Sequence, residues 1–303
     1  MNPKTFNTTH PKWIKRPVRI SDDFRDTKNI LSGLNTVCSS AHCPNLNICF
    51  NQGLATFLIL GNICTRNCGF CAVRKGNPLD VDASEPSRIT DAAIKLKLSH
   101  IVITSVTRDD LEDGGSGHFV DCIEKVRKKI QCVTIEVLTP DFKGSKTSMD
   151  KIISAHPDVF NHNIETIPRL YPVLRSDANY HRSLDVIKYV SQNACIIVKS
   201  GIMLGLGETE EEVLKVLRDL LDSGCSVITI GQYLSPSKKN FPVVEYIPLK
   251  RFEYLKRVAY DMGFVCVLSG PFVRSSYKAA EVLKKVKKNG NLKNICISKS
   301  NSL

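Results

Sequence analysis

Three cysteines in a C-x3-C-x2-C spacing, Cys64, Cys68 and Cys71, constrain this chain more than any other feature. They follow an apolar run, Thr56-Phe57-Leu58-Ile59-Leu60-Gly61, that reads as a buried strand closing in a glycine turn. Three thiolates on one short loop can hold three corners of a four-iron cluster, leaving the fourth iron open to a small molecule. Taken alone, Cys68-x-x-Cys71 also suits half of a zinc site or a thioredoxin-like pair. A second triplet lies upstream, Cys38-x4-Cys43-x5-Cys49, so six of the twelve cysteines fall between positions 38 and 71. Zinc more typically meets paired C-x2-C knuckles. Two triplets point to two clusters, each short of one ligand.

The other bounds are compatible with such an enzyme. A chain of 303 residues, 42% hydrophobic and 24% charged, can build one large globular domain or two small ones. No run reaches the ~18 apolar residues of a membrane span. The first residues, Met1-Asn2-Pro3-Lys4-Thr5, lack the apolar core of a signal peptide. Twelve cysteines without that signal favour a reducing compartment, so the expected location is cytoplasmic. The formal charge of +12 invites a nucleic-acid partner. Its basic residues are spread along the chain, however, and the densest run (Lys284, Lys285, Lys287, Lys288) reads as a solvated helix face. An acidic protein partner or an anionic cofactor explains the charge as well; no nucleic acid and no membrane is the expectation.

In chain order, residues 1–20 are polar and basic. Ser21 caps a short helix with Phe24, Leu31 and Leu34 on one face. Segment 36–52 is too poor in aliphatic residues for a core of its own, and would be ordered by its metal. From Thr56 strands and helices alternate: strands at 56–60, 101–106, 133–138, 159–164, 195–199 and 227–231, with amphipathic helices near 88–98, 118–130, 147–155, 182–192 and 210–223. The last opens with a capping box, Thr209-x-x-Glu212. About six β/α units with near-continuous apolar strands make a parallel sheet. An α/β fold in the form of a partial, open β/α barrel fits best, with a doubly wound sheet as the alternative. A helix near 249–262 and a further strand at 264–268 follow. The expected divisions are an N-terminal extension (1–55), the barrel (56–262) and a C-terminal extension (263–303).

Working residues of such a sheet belong at the C-terminal strand ends. There stand Asn163 and Glu165 after strand four, and Lys199 and Glu208 after strand five. Lys199 and Glu165 also read as members of structural ion pairs. Asp109, Asp110, Glu112 and Asp113, after strand two, read equally as helix caps or solvated charges. Cys122, Cys132, Cys195, Cys225, Cys266 and Cys296 have no cluster spacing and read as buried or incidental thiols. His42, beside Cys43, reads as a loop hydrogen-bonding residue. The run Arg274-Ser275-Ser276-Tyr277-Lys278-Ala279 could be no more than the cap of a final helix.

The first triplet, with Phe70 just before its last cysteine, resembles the cysteine loop of the radical S-adenosylmethionine (SAM) enzymes. The second triplet and Arg274-Ser275-Ser276-Tyr277-x-Ala279 resemble the lipoyl synthase family within that superfamily, and the likeness runs from about residue 20 to 280. The resemblance implies two [4Fe–4S] clusters and SAM. Cys64, Cys68 and Cys71 would hold the SAM-cleaving cluster. Cys38, Cys43 and Cys49 would hold an auxiliary one, with Ser275 as its fourth ligand and Ser276 the nearest alternative. Asn163, Glu165, Lys199 and Glu208 would bind SAM, whose amine, carboxylate, ribose and purine suit charged and amide groups. Arg274 would steer substrate or stabilise the altered cluster. The implied reaction inserts sulfur at C6 and C8 of an octanoyl group on a carrier protein or domain, with a small electron-donor protein as second partner. Unactivated C–H bonds yield to no acid or base at neutral pH, which is why a radical cofactor is needed.

Overall fold

A computed structural model describes residues 11–16 and 19–288. Its centre is a seven-stranded, wholly parallel sheet: β1 (Thr56–Ile59), β2 (His100–Ser105), β3 (Thr134–Leu138), β4 (Val159–Asn161), β5 (Ile197–Leu204), β6 (Val227–Gln232) and β7 (Cys266–Gly270). Spatial order follows chain order from β1 to β7 without reversal, and β1 does not pair with β7. A doubly wound sheet would reverse its order at a switch point. The observed sheet is therefore an open partial barrel, as expected, with a seventh strand. That strand belongs to the segment read as a C-terminal extension, and it pairs with β6 from Val227↔Cys266 to Gly231↔Gly270.

Helices Glu85–Lys95, Ser116–Lys129, Lys146–Ser154, Tyr180–Asn193, Glu210–Asp222 and Leu249–Met262 return the chain between successive strands. Side chains alternate along each strand. Ile101, Ile103, Ile135, Val137, Phe160, Val198, Ile228 and Ile230 pack outward with these helices in the main apolar core. The inward positions form layers. At the floor stand the first residues of four strands, Val159, Ile197, Val227 and Cys266, covered by Val282, Leu283 and Val286 of the last helix, Ala279–Lys288. Above that apolar layer lie polar side chains, and above them opens a cavity.

The free edge of β1 is covered by the N-terminal extension, through an antiparallel bridge Thr36↔Phe57 and a bond from the Leu58 N–H to the Asn35 carbonyl. The two ends of the chain meet at this open side. Thr56 Oγ1 donates to Ser276 Oγ at 2.8 Å, and Asn45 Nδ2 to the Phe272 carbonyl at 2.8 Å. Gly231 makes room for the returning segment, since a Cβ there would collide with the Val273 carbonyl oxygen.

Boundaries shifted most at β5. Expected at 195–199, it runs from Ile197 to Leu204, so Lys199 is an early residue of the strand and not its end. Cys122, Cys225 and Cys266 are buried, Cys132 is exposed, Cys195 is disulfide-bonded, and Cys296 lies outside the described residues. Among the described residues no helix is long and apolar enough to cross a membrane.

If the last helix seals the barrel floor, Leu283→Ala should cost about 2–5 kcal/mol in chemical denaturation. A cost below about 1 kcal/mol would place that helix outside the core.

Candidate active site

The loop after β1 is built to present thiols. At its start Leu60 takes a left-handed conformation (φ 66°), held by the Glu85 carboxylate, which accepts from the Leu60 N–H at 2.8 Å and pairs with His118 Nε2 at 2.8 Å. Between the first two cysteines, Arg66 turns away from the cavity into a buried cradle. Its Nε and Nη2 reach Asp109 at 2.6 and 2.9 Å, and Nη2 also reaches Asp141 at 2.6 Å. Asp141 is fully buried and takes a second cation, Arg182, at 2.7 Å. These guanidinium groups hold its carboxyl well below the usual carboxylate range, against the opposing effect of burial. Further clamps are Thr65 on the Thr107 carbonyl, the Gly69 N–H on the Leu174 carbonyl, and Asn240 Nδ2 on the Cys71 carbonyl at 2.9 Å. Tied down from behind, the loop leaves Cys64, Cys68 and Cys71 lining the cavity in front.

That cavity, of about 660 Å³, is also lined by Cys38, Cys43, Cys49 and Ser275. Cys38 sits on the short helix Val37–Ser40, capped by Thr36, and Cys49 on Leu46–Asn51. Burial pushes the Cys38 thiol up to about 11, and the Cys49 and Cys71 thiols up to about 12. Metal binding there must expel protons and is coupled to pH. Among the described residues no three His, Cys, Asp or Glu stand close enough to hold one metal ion. The donors form two triplets of soft thiols around a shared space that Ser275 also lines. Such sets suit the corners of iron–sulfur clusters.

Asn163 connects the two sides. Its Nδ2 donates to Ser275 Oγ at 2.5 Å and to Glu165 Oε1 at 3.0 Å. Glu165 has a left-handed backbone (φ 67°), rejoins the sheet opposite Ile202, and lines the cavity; burial raises its pKa. Arg274 also lines it, with Nη1 donating to the Val273 carbonyl at 2.6 Å. Ser276 faces the same space but is tied to Thr56. His42 lines the cavity as well.

Two residues expected in a SAM pocket lie elsewhere. Lys199 is 0% exposed in the polar layer below the cavity, and its Nζ donates to both oxygens of Glu136 at 2.8 and 3.1 Å. The structural ion pair is the reading that its position matches. Glu208 accepts from the N–H groups of Gly205 and Leu206 at 2.6 and 2.9 Å, fixing the turn after β5, and does not line the large cavity. Asp113 is a cap, bonding the N–H groups of Gly115 and Gly117. Sequence patterns passed over Arg66, Asp141 and Arg175, and placed His162 at the end of strand four without a role of its own. The signals were the position of Arg66 between two cysteines and of His162 at a strand end.

The barrel and its cysteine loop are those of the radical SAM superfamily, whose model matches residues 58–220. Streptococcus suis SuiB bound to S-adenosylmethionine superposes with a TM-score of 0.57 at 11% identity, over 74% of this chain and 54% of that one. Methylornithine synthase (PylB) gives 0.54 at 14%, over 88% and 92%. At such identity the likeness concerns the fold alone. Sequence relatives are much nearer. The lipoyl synthase of Caldicellulosiruptor saccharolyticus is 50% identical over 92% of this chain and 99% of its own length. That of Caldanaerobacter subterraneus subsp. tengcongensis is 52% identical over 89% and 95%. The chain belongs to the lipoyl synthase family. It is thus a radical SAM enzyme, and membership implies SAM and a [4Fe–4S] cluster.

Lys199→Met would leave the Glu136 charge buried without its cation, with the Asn161 amide as its remaining hydrogen bond, at a cost of about 3–5 kcal/mol by denaturation. Adding Glu136→Gln should recover most of that loss. Weaker SAM binding without lost stability would instead put Lys199 in the pocket.

Proposed function

We propose that this enzyme inserts sulfur at C6 and C8 of an octanoyl group carried on a lysine of a lipoyl carrier protein or domain. The observation that carries this reading is that both thiol triplets and Ser275 line one cavity at the open mouth of the barrel. Cys64, Cys68 and Cys71 are proposed to hold the cluster that binds SAM. Cys38, Cys43, Cys49 and Ser275 are proposed to hold a second, auxiliary [4Fe–4S] cluster. When bound, these groups supply the radical and the sulfur that unactivated C–H bonds require.

The chain's own residues have defined tasks in this scheme. Arg66, paired with Asp109 and Asp141, holds the first loop so that its thiols keep one geometry. Asn163 and Glu165, after β4, line the cavity and would contact SAM there. Ser275 offers a hard oxygen among soft thiolates, a weaker donor for soft iron and so a fitting ligand for a cluster that gives up sulfur. Arg274 is placed to steer substrate or to stabilise that cluster as its charge changes. The enclosing walls, Leu58, Val102, Leu138 and Met203 among them, suit an aliphatic chain and keep water from it. The further partner is a small electron-donor protein. A reducing, cytoplasmic setting fits the cluster chemistry, and no role for nucleic acid or membrane is proposed.

Two triple variants separate the roles. Cys64, Cys68 and Cys71→Ala should abolish reductive SAM cleavage, read as 5′-deoxyadenosine, while iron remains at the other site. Cys38, Cys43 and Cys49→Ala should keep SAM cleavage and stop lipoyl formation, read by mass spectrometry of the carrier peptide. Lipoyl product from the second variant would sink the proposal.

A further inference from the structure

The cavity contains a chemical imbalance. Among the described residues, nine buried side-chain atoms have no hydrogen-bond partner, and six belong to residues lining this one cavity: His100, Ser105, Thr139, His162, Asn163 and Arg175. A buried polar atom without a partner costs stability, so a set gathered around one space marks where a polar ligand completes it. Of these only Asn163 has a task in the reading above; among the others, His162 and Thr139 are hydrogen-bonded neighbours.

His162 is 1% exposed and Thr139 is 4% exposed. The His162 Nδ1 lies 2.9 Å from the Thr139 carbonyl oxygen. A carbonyl only accepts, so Nδ1 carries the proton and Nε2 presents a lone pair. Burial, with the Arg175 charge adding to it, pushes the ring's pKa down to about 4, which keeps that lone pair free at neutral pH. Nε2 has no protein partner, and neither has the Thr139 hydroxyl. The vacant positions therefore ask for a ligand bearing at least one N–H or O–H, with an acceptor near Thr139.

The surroundings say which ligand. Arg66 and Arg175 act on both the His162 ring and the Cys68 thiol, so His162 belongs to the first-triplet side of the cavity. Thr139 is two residues before Asp141, which clamps Arg66 of the cysteine loop. An octanoyl chain offers no donor along its aliphatic length, and its one amide N–H lies several carbons from the reacting centre. SAM offers amino and hydroxyl donors as well as acceptors.

We infer that His162 Nε2 and Thr139 Oγ1 are SAM contacts: the imidazole accepts a hydrogen bond from a SAM N–H or O–H, and the hydroxyl seats a neighbouring polar atom. This rests on the placement of SAM beside Cys64, Cys68 and Cys71 proposed above.

Thr139→Val gives an unusual signature, because it deletes a hydroxyl that no protein atom uses. The SAM-free holoenzyme should melt at the same temperature or higher, while its Kd for SAM, measured by anaerobic calorimetry, rises about tenfold. His162→Ala should weaken SAM similarly, and His162→Gln, which keeps an acceptor, should recover part of the loss with iron content unchanged. SAM affinity within about twofold of the unaltered enzyme for both Thr139→Val and His162→Ala would overturn the inference. So would a fall in melting temperature for Thr139→Val, or weakened binding of an octanoylated peptide with SAM binding intact. If the unaltered enzyme makes lipoyl product and binds SAM, those results remove only this inference. If it holds both clusters and binds no SAM, the parent reading falls with it.

Discussion

A parallel barrel that stops at seven strands has two unpaired edges, and the architecture follows from how this chain covers them. Closing the sheet on itself would fill the interior with side chains, as in a complete barrel. Leaving it open creates a space but exposes β1 and β7. Here the N-terminal extension lies along β1, and the segment after β7 crosses back to it through Thr56–Ser276 and Asn45–Phe272. The bonds that finish the barrel thus bring Cys38, Cys43 and Cys49 to the same cavity as Ser275, more than 220 residues along the chain. The same contacts that cover the sheet edge therefore gather these three cysteines and Ser275 at one cavity.

The first donor set depends on a different device. Thiols on a flexible loop would each lose conformational freedom on binding metal. The loop here is already fixed from its far side, by the Arg66 ion pairs and by backbone bonds to residues 107, 174 and 240. Arg66 is 5% exposed and Asp141 is fully buried. A pair so desolvated is poor evidence for net stability, because the cost of removing both charges from water offsets their attraction. Its value lies in geometry, since a planar guanidinium shared between two carboxylates has few alternative poses.

What could be read from sequence tracks how local the information is. Cysteine spacing and apolar strand runs are local, so both thiol sets, the parallel sheet and the Thr209–Glu212 capping box were legible. Strand ends were less so. In Cys195-Ile196-Ile197-Val198-Lys199 the lysine looked like the polar terminus of a strand, whereas it is an inward residue whose partner, Glu136, lies 63 positions away. Glu208 looked like a cavity residue because it follows strand five, and its carboxylate serves the backbone of the turn there instead. Arg66 was invisible as an anchor because Asp109 and Asp141 are 43 and 75 residues distant. Ion pairs between strand-end loops leave no period in the sequence; only the fold brings them together.

The layered interior ties these errors to function. Inward positions go from apolar at the floor (Val159, Ile197, Val227, Cys266) to the buried Lys199–Glu136 ion pair, which Asn161 Nδ2 also bonds while its own Oδ1 lacks a partner, and then to Thr139, His162 and Asn163 at the cavity, each with a buried atom that has none. The middle layer tolerates charge because Lys199 and Glu136 pair with each other, whereas the polar atoms without partners carry an uncompensated desolvation cost. A protein shaped by stability alone would fill those upper positions with aliphatic side chains. Leaving them polar makes sense only if another molecule completes the hydrogen bonds, and the completed set then binds that molecule more strongly than any paired surface could. The passage from a buried charge with its counter-charge to Thr139 and His162, whose Oγ1 and Nε2 atoms have no partner, therefore runs from scaffold toward the cavity within a single barrel.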